Sequence, residues 1–367
     1  MTNIGTSQAS ITDNSADHVM TRLEALHQQI AALKVRCEAA AEVGETASPD
    51  PNVKMVPIFN LGNRPLDSLC SDGDVKRRSA QIIKTLSERG AQRLLGSMAS
   101  PLLADAIAGL YDSHPNFTLA VDHVLGEEIL ARQCGGALAG LRLLLHGGAG
   151  VGKSDYALTL AKLLGVPCEV ISLSSAQAAA YLGGSEEYWS NSQPGIVWKR
   201  LVQGTHANPV IILDEIDKVS NNWGDPLGAL YQVLEPKTAA IFRDKSVPWL
   251  PIDTSYCSWV ATANNVEAIH PAIRSRFTEI EVTSPTEDAL ANLVQRLYSS
   301  LLEEFSLSDR LAKELTDVQT KALIGGSVRD AKRILRSAIG LALRLNKREI
   351  TVEAVVLRAP RHRIGFF

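Results

Sequence analysis

Residues 147–154 read Gly147, Gly148, Ala149, Gly150, Val151, Gly152, Lys153 and Ser154, a G-x-x-x-x-G-K-[ST] run. Such glycines let consecutive backbone N–H groups curl around a phosphate, and a helix beginning at the lysine aims its positive end at the same charge. Lys153 would then reach the β- and γ-phosphates, and the Ser154 hydroxyl would bind Mg²⁺. Further on, PVIILDEIDK (209–218) ends four apolar residues in two carboxylates. Asp214 suits the magnesium shell, and Glu215 suits a base that orients and deprotonates an attacking water. A base aimed at water argues for hydrolysis rather than phosphotransfer. WVATANN (259–265) delivers Thr262 and then Asn264, an amide able to hold that water against the γ-phosphate. The chemistry is ATP hydrolysis assisted by Mg²⁺, provided the fold brings these three places together.

That requires three buried strands ending at one edge. Short apolar runs at Leu141–Leu145, Cys168–Leu173, Val210–Leu213 and Trp259–Ala263 alternate with helical patterns such as Asp155–Leu164. Continuous apolar strands between helices predict a largely parallel sheet covered on both faces, with ligands at the carboxyl ends of its strands. The fold class is α/β: a P-loop core, an all-helical domain after it and a helical region before it.

The expected organisation starts with residues 1–74: a disordered tail, a short amphipathic helix and a linker. Leu23, Leu26, Ile30, Leu33 and Cys37 fall on one face of that helix, which either packs on its own domain or pairs with a second copy. The linker holds an apolar island, MVPIF (55–59), suited to docking on another surface. Residues 75–117 form a helical N-terminal region with Ile82, Ile83, Leu86, Leu94, Leu95, Leu102, Leu103 and Ile107 as core positions, broken by HPNF at 114–117. The ATPase core covers 118–285 and opens with a helix over 118–134. A helical lid covers 286–352, with helices at 286–304, 308–323 and 327–345, and a tail follows at 353–367.

Over 367 residues the formal charge is −3 and no basic stripe is visible, which counts against a nucleic-acid footprint. The five cysteines are scattered without a CxxC pair, as in a reduced, cytoplasmic protein. The start MTNIGTSQASITDNSADHV is polar and does not read as a signal peptide, and no apolar run approaches a membrane span.

The stretch from Leu143 to about Val282 resembles the ATPase module of the Lon proteases, in the AAA+ superfamily. It carries GGAGVGKS, VISLSS (170–175), IILDEIDKVS, WGDPLGALYQVLEP (223–236), FRDKSVPWLPID (242–253), VATANN and IHPAIRSRFTEIEV (269–282). The resemblance implies roles that spacing alone does not. Arg276, in AIRSRF, falls at the arginine finger that reaches a neighbouring subunit's γ-phosphate, with Arg274 ranked second. Arg329, in GGSVRDAKR, matches the lid's sensor-2 arginine, which reads the nucleotide of its own subunit. Tyr188 and Trp189, in YLGGSEEYWSNSQPG, align with the aromatic-hydrophobic pair of the first pore loop, although one extra residue precedes Pro194-Gly195. Two adjacent aromatics in a Gly/Ser/Glu-rich loop are hard to bury together, which favours exposure and use.

The resemblance stops at the lid: residues 346–367 leave no room for the Ser-Lys protease domain that follows it in Lon, and residues 1–113 match no Lon motif. The RHR and terminal Phe366-Phe367 of the tail suit either a docking peptide or packing on the lid. His146, before the phosphate loop, suits packing. The resemblance implies an ATP-hydrolysing homo-oligomer, a hexameric ring or open spiral, that threads polypeptide and remodels or unfolds it, with a separate peptidase or adaptor as a further partner. Two alternatives stand beside it. One is a nucleic-acid-directed AAA+ ATPase, clamp-loader or helicase-like, against which the acidic, aromatic GGSEEYW counts. The other is an ATP-gated scaffold or switch acting through the N-terminal helices.

Overall fold

In the computed structural model, residues 54–61, 73–174, 178–189, 191–218, 226–324 and 328–352 are described. All of them belong to one compact unit, Lys54–Phe367. The N-terminal tail, the Leu23–Cys37 repeat, most of the linker, residues 219–225 and the tail from 353 with Phe366 and Phe367 lie outside the described residues.

In chain order the elements are β1 (Met55–Pro57), α1 (Gly73–Arg89), β2 (Gln92–Leu94), α2 (Pro101–Ala108), α3 (Leu110–Ser113), α4 (Thr118–Gln133), β3 (Arg142–His146), α5 (Lys153–Leu164), β4 (Cys168–Ser172), α6 (Ala178–Gly183), α7 (Ile196–Trp198) and β5 (Val210–Asp214). Then come α8 (Pro226–Leu234), α9 (Pro236–Ala239), β6 (Phe242–Arg243), β7 (Pro251–Ile252), β8 (Ser258–Ala263), α10 (Pro271–Arg274), β9 (Thr278–Glu281), α11 (Glu287–Glu304), α12 (Asp317–Ile324) and α13 (Val328–Arg344).

Five strands make one parallel sheet in the order β4-β5-β8-β3-β9. Successive side chains on a strand point to opposite faces, and the two cores follow that alternation. Leu144, Ile211, Leu213, Trp259 and Ala261 enter one core with Leu86 of α1, Trp198 of α7 and Leu230 of α8. Leu143, Leu145, Val210, Ile212 and Val260 enter the other, with Ile107, Phe117 and Val124 of the helices before the sheet and Leu160 of α5. Coverage on both faces is why the inner strands β3, β5 and β8 read as apolar runs; every residue of β8 is buried.

The helices α11, α12 and α13 form the all-helical lid around a third core. Ala331, Leu335, Ala338, Ile339 and Ala342 recur along α13 at helical spacing and meet Val294, Tyr298 and Leu301 of α11. Thr286 caps α11 by accepting from the Ala289 N–H (3.3 Å), and Glu287 and Asp288 follow in the first turn.

Several local expectations change. Leu94 lies in β2 rather than a helix, paired with Met55 of β1, and Leu102 is exposed. The island at 55–59 docks on the chain's own core: Val56, Ile58 and Phe59 are buried, and the Asp253 N–H donates to Ile58 O at 2.7 Å. The second lid helix begins at Asp317, not 308. Thr316 and Gln319 explain the start: Gln319 N–H donates to Thr316 Oγ1 (3.4 Å) and Thr316 N–H to Gln319 Oε1 (2.9 Å), a reciprocal capping box. The sheet also gains β9, unread in the sequence because Ile280 is its single buried residue. Polar side chains are what an edge strand shows.

Candidate functional site

Strand β3 ends at His146, and the chain then turns into the phosphate-loop run before α5 begins at Lys153. Gly147 has φ 148°, and a Cβ there would lie 2.1 Å from Val282 O, so no larger residue fits this crossing of the loop over the end of β9. His146 itself pairs with Glu279 of β9 (Nε2–Oε1 3.4 Å), a packing role.

Lys153 is buried, and its Nζ donates to Gly147 O and Gly148 O (both 2.8 Å) and to Asn264 Oδ1 (2.9 Å). Burial holds its pKa below the ordinary ammonium value, against the opposing fields of Asp217 and Asp214. Ser154 Oγ and Thr262 Oγ1 both donate to Asp214 Oδ1, at 2.8 and 2.6 Å. Glu215 follows with φ 56°, the left-handed region that a glutamate seldom adopts. That turn is held by the Glu215 N–H on Thr262 Oγ1 (3.1 Å), and the carboxylate meets Lys218 Nζ at 2.6 Å. Asp217 Oδ2 accepts from the N–H groups of Asn264 (3.1 Å) and Asn265 (3.0 Å), which fixes the end of β8 beside that of β5. The three sequence stretches therefore converge on one sheet edge.

A cleft of about 410 Å³ opens there between core and lid. Ala149, Gly150, Gly152, Lys153, Ser154, Asp214, Glu215 and Asn264 line one side, and Leu297, Val328, Arg329 and Lys332 the other. The fit to a nucleotide is good: the volume lies in the range of ligand pockets, the loop precedes a helix N-terminus, and a hydroxyl stands against a carboxylate as hard oxygen donors for a divalent ion.

Several further residues contribute without belonging to a sequence motif. Asn116, in HPNF, donates to Val151 O (3.2 Å) and Thr283 O (2.9 Å), bracing the loop against the strand end. His114 meets Asp155 Oδ2 at 3.2 Å, and this bond holds the Asp155 carboxyl below its usual range. Phe117 stacks on Tyr156 with centroids 4.5 Å apart. Lys332, one turn beyond Arg329, also faces the cleft. HPNF signals only a helix break, and lysine in a lid helix signals nothing.

Arg276 does not line this cleft. It stands just before β9, near the amino end of the sheet, in a second pocket of about 340 Å³ shared with Arg142, His123 and Glu127. Its guanidinium lies 5.3 Å from the Tyr231 ring centroid, pairs with Glu235 (3.5 Å) and donates to Ala272 O. Arg274 is held instead by Glu279 (3.0 and 3.1 Å) and Glu267 (3.1 Å).

Tyr188 and Trp189 stand on a loop away from the cleft, 71% and 51% exposed, with rings edge to face at 6.3 Å. The neck of the loop is built on Asp244. Its carboxylate accepts from the Gly195 N–H (2.8 Å) and from Ser246 N–H and Oγ (2.9 Å each). Gly184 (φ 82°) leaves the room: a Cβ there would sit 2.1 Å from Asp244 Oδ1. Burial pushes the Asp244 carboxyl up to about 6, against the hydrogen bonds that favour its charged form.

Residues 143–284 match the family model of the "ATPase family associated with various cellular activities (AAA)". The chain is 31% identical over 247 residues to Lon protease 2 of Bdellovibrio bacteriovorus, covering 66% of this chain and 30% of the relative. It is 34% identical over 212 residues to the Lon protease of Chloroflexus aurantiacus, covering 57% of this chain and 25% of the relative. The chain thus spans roughly a quarter to a third of the length of these relatives. Among solved structures, closed-state Hsp104 with ATPγS and FITC casein is similar in fold (TM-score 0.54, 16% identity, 77% of this chain and 49% of that one).

Proposed function

We propose, for a chain whose residues 143–284 form an AAA-family ATPase domain homologous to the ATPase module of the Lon proteases, that it hydrolyses ATP as a homo-oligomeric ring or spiral and uses the energy to remodel or unfold proteins. The nucleotide would lie along Gly147–Gly152, its phosphates within reach of Lys153, with Mg²⁺ on Ser154 and Asp214. Bound magnesium supplies charge neutralisation at the β- and γ-phosphates. Glu215 takes a proton from the attacking water, and Asn264, oriented through its bond to Lys153, holds that water in place. Arg329, with Lys332 beside it, ties the lid to the nucleotide, so that loss of the γ-phosphate changes the angle between lid and core.

The position of Arg276 supports action on a neighbour. Thr278 pairs with Leu143 near the start of β3, whereas the phosphate loop leaves the far end of that strand. Arg276 is therefore roughly 15–20 Å along the strand direction from its own loop. Arg274, committed to two carboxylates of its own chain, suits the finger less well.

The observation that carries the substrate class is the exposed Tyr188-Trp189 pair on a braced loop. Neighbouring aromatic faces can intercalate with the side chains of an extended polypeptide, and Glu186 and Glu187 beside them disfavour a phosphate backbone. The test is ATP hydrolysis with and without an unfolded model protein, in wild type and in the Tyr188→Ala/Trp189→Ala double variant. The reading predicts that unfolded protein raises the wild-type rate and that the stimulated-to-unstimulated ratio falls to unity in the double variant. A wild-type rate indifferent to protein substrates would refute it.

A further inference from the structure

We infer that Arg78, on the helix ahead of the ATPase domain, is a positioning residue for the aromatic loop, so that a segment outside the ATPase module sets how firmly the loop grips its substrate. The inference rests on the reading of Tyr188 and Trp189 as the gripping pair.

One guanidinium spans the loop. Arg78 Nη1 donates to Trp189 O (2.9 Å) and, at 3.5 Å, to Ser192 O, while Nη2 donates to Glu187 O (2.9 Å). The loop's own bonds close its neck: Ser185 N–H to Gln193 O (3.2 Å), Gln193 N–H to Ser185 Oγ (2.8 Å) and Ser192 Oγ to Ser185 O (3.1 Å). Arg78 reaches past that neck to the carbonyls on either side of Tyr188. A planar fork of N–H donors can hold carbonyls that diverge in this way, whereas an ammonium is a single point of charge. Charge assistance makes each bond stronger than a neutral one.

The arginine is presented by a rigid support. Val75 and Leu86 of α1 are buried, and Leu86 lies in the same core as Trp198 and Leu230. After α1, Arg93 donates to Leu201 O (2.9 Å) and Val202 O (2.5 Å), tying the N-terminal segment to the helical turn that follows the loop. A loop tip without such a partner would sample many conformations, and each binding event would carry the cost of ordering it. Arg78 meets that cost in advance, and does so from α1, which lies before the domain matched at residues 143–284.

The test uses the full chain with Arg78→Met, which keeps an apolar stem, and Arg78→Lys. Hydrogen exchange at residues 185–193 reads the loop without any substrate. Arg78→Met should speed exchange of the Trp189 and Ser192 amides about tenfold or more, with Arg78→Lys intermediate and β5 amides unchanged as the folding control. Stimulation of ATP hydrolysis by casein reads the grip: the half-saturating casein concentration should rise about fivefold or more in Arg78→Met, the rate at saturation staying within about twofold. A merely structural role would not divide the effect in that way. Unchanged loop exchange overturns the inference, as does faster exchange with an unchanged half-saturating concentration. A wild type that does not respond to casein refutes the gripping reading instead, and the exchange arm then decides by itself whether Arg78 positions the loop.

Discussion

Glu215 is held with a left-handed backbone by a hydrogen bond from its own N–H to Thr262, a residue whose hydroxyl also meets Asp214. Strain of this kind persists where surrounding structure over-determines it, and here it turns a carboxylate toward the cleft lining. Replacing Glu215 by Gln should lower the hydrolysis rate by about 10²–10⁴-fold while a fluorescent nucleotide still binds, because the amide keeps the shape and loses the base. Lys153→Ala should instead weaken nucleotide binding itself, measured by the same titration. Lys153, Ser154, Asp214, Glu215 and Asn264 were readable in the sequence because each sits in a short contiguous motif at a strand end. Arg78 and Asn116 were not, because each bonds a partner far along the chain that no local pattern encodes, and Lys332 was not, because a lysine on a lid helix carries no motif.

The inner strands β3, β5 and β8 were readable for a physical reason: burial on both faces leaves a run such as VIIL at 210–213 with no polar interruption. Strand β9 and the antiparallel pair β1–β2 lack that signal, being short, polar or only partly buried, and tertiary pairing defines them. The FRD segment shows how an element can carry a charge for another's benefit. Asp244 supports the neck of the aromatic loop from inside the protein, with its folded pKa raised to about 6 from an ordinary 3.8. A raised carboxyl pKa means the folded state binds the proton more tightly, so stability falls as pH rises from near 4 to near 6. Urea midpoints at pH 4 and pH 7 should show this component, about 2 kcal/mol, in wild type and not in Asp244→Asn. Equal pH dependence in the two would mean that Asp244 is not the titrating group.

The cleft proposed for the nucleotide needs two cores at once, since Leu297, Arg329 and Lys332 reach it from the lid. Its proposed completion by Arg276 needs a second copy of the chain. Hydrolysis per chain should therefore climb with protein concentration, and Arg276→Ala should lower the rate at high concentration by about 10³-fold. Adding a Glu215→Gln chain should restore part of that activity, as each copy then supplies what the other lacks. No described helix is long and apolar enough to cross a membrane. The measurement that bears most directly on an ATP-driven protein remodeller uses a stably folded fluorescent protein carrying an unstructured tail. Loss of its fluorescence is followed with this protein and ATP. ATP-driven unfolding through the aromatic loop predicts a loss that requires ATP hydrolysis, is absent with Glu215→Gln and is absent with Tyr188→Ala/Trp189→Ala. Fluorescence that stays constant while ATP is consumed at an undiminished rate would contradict it.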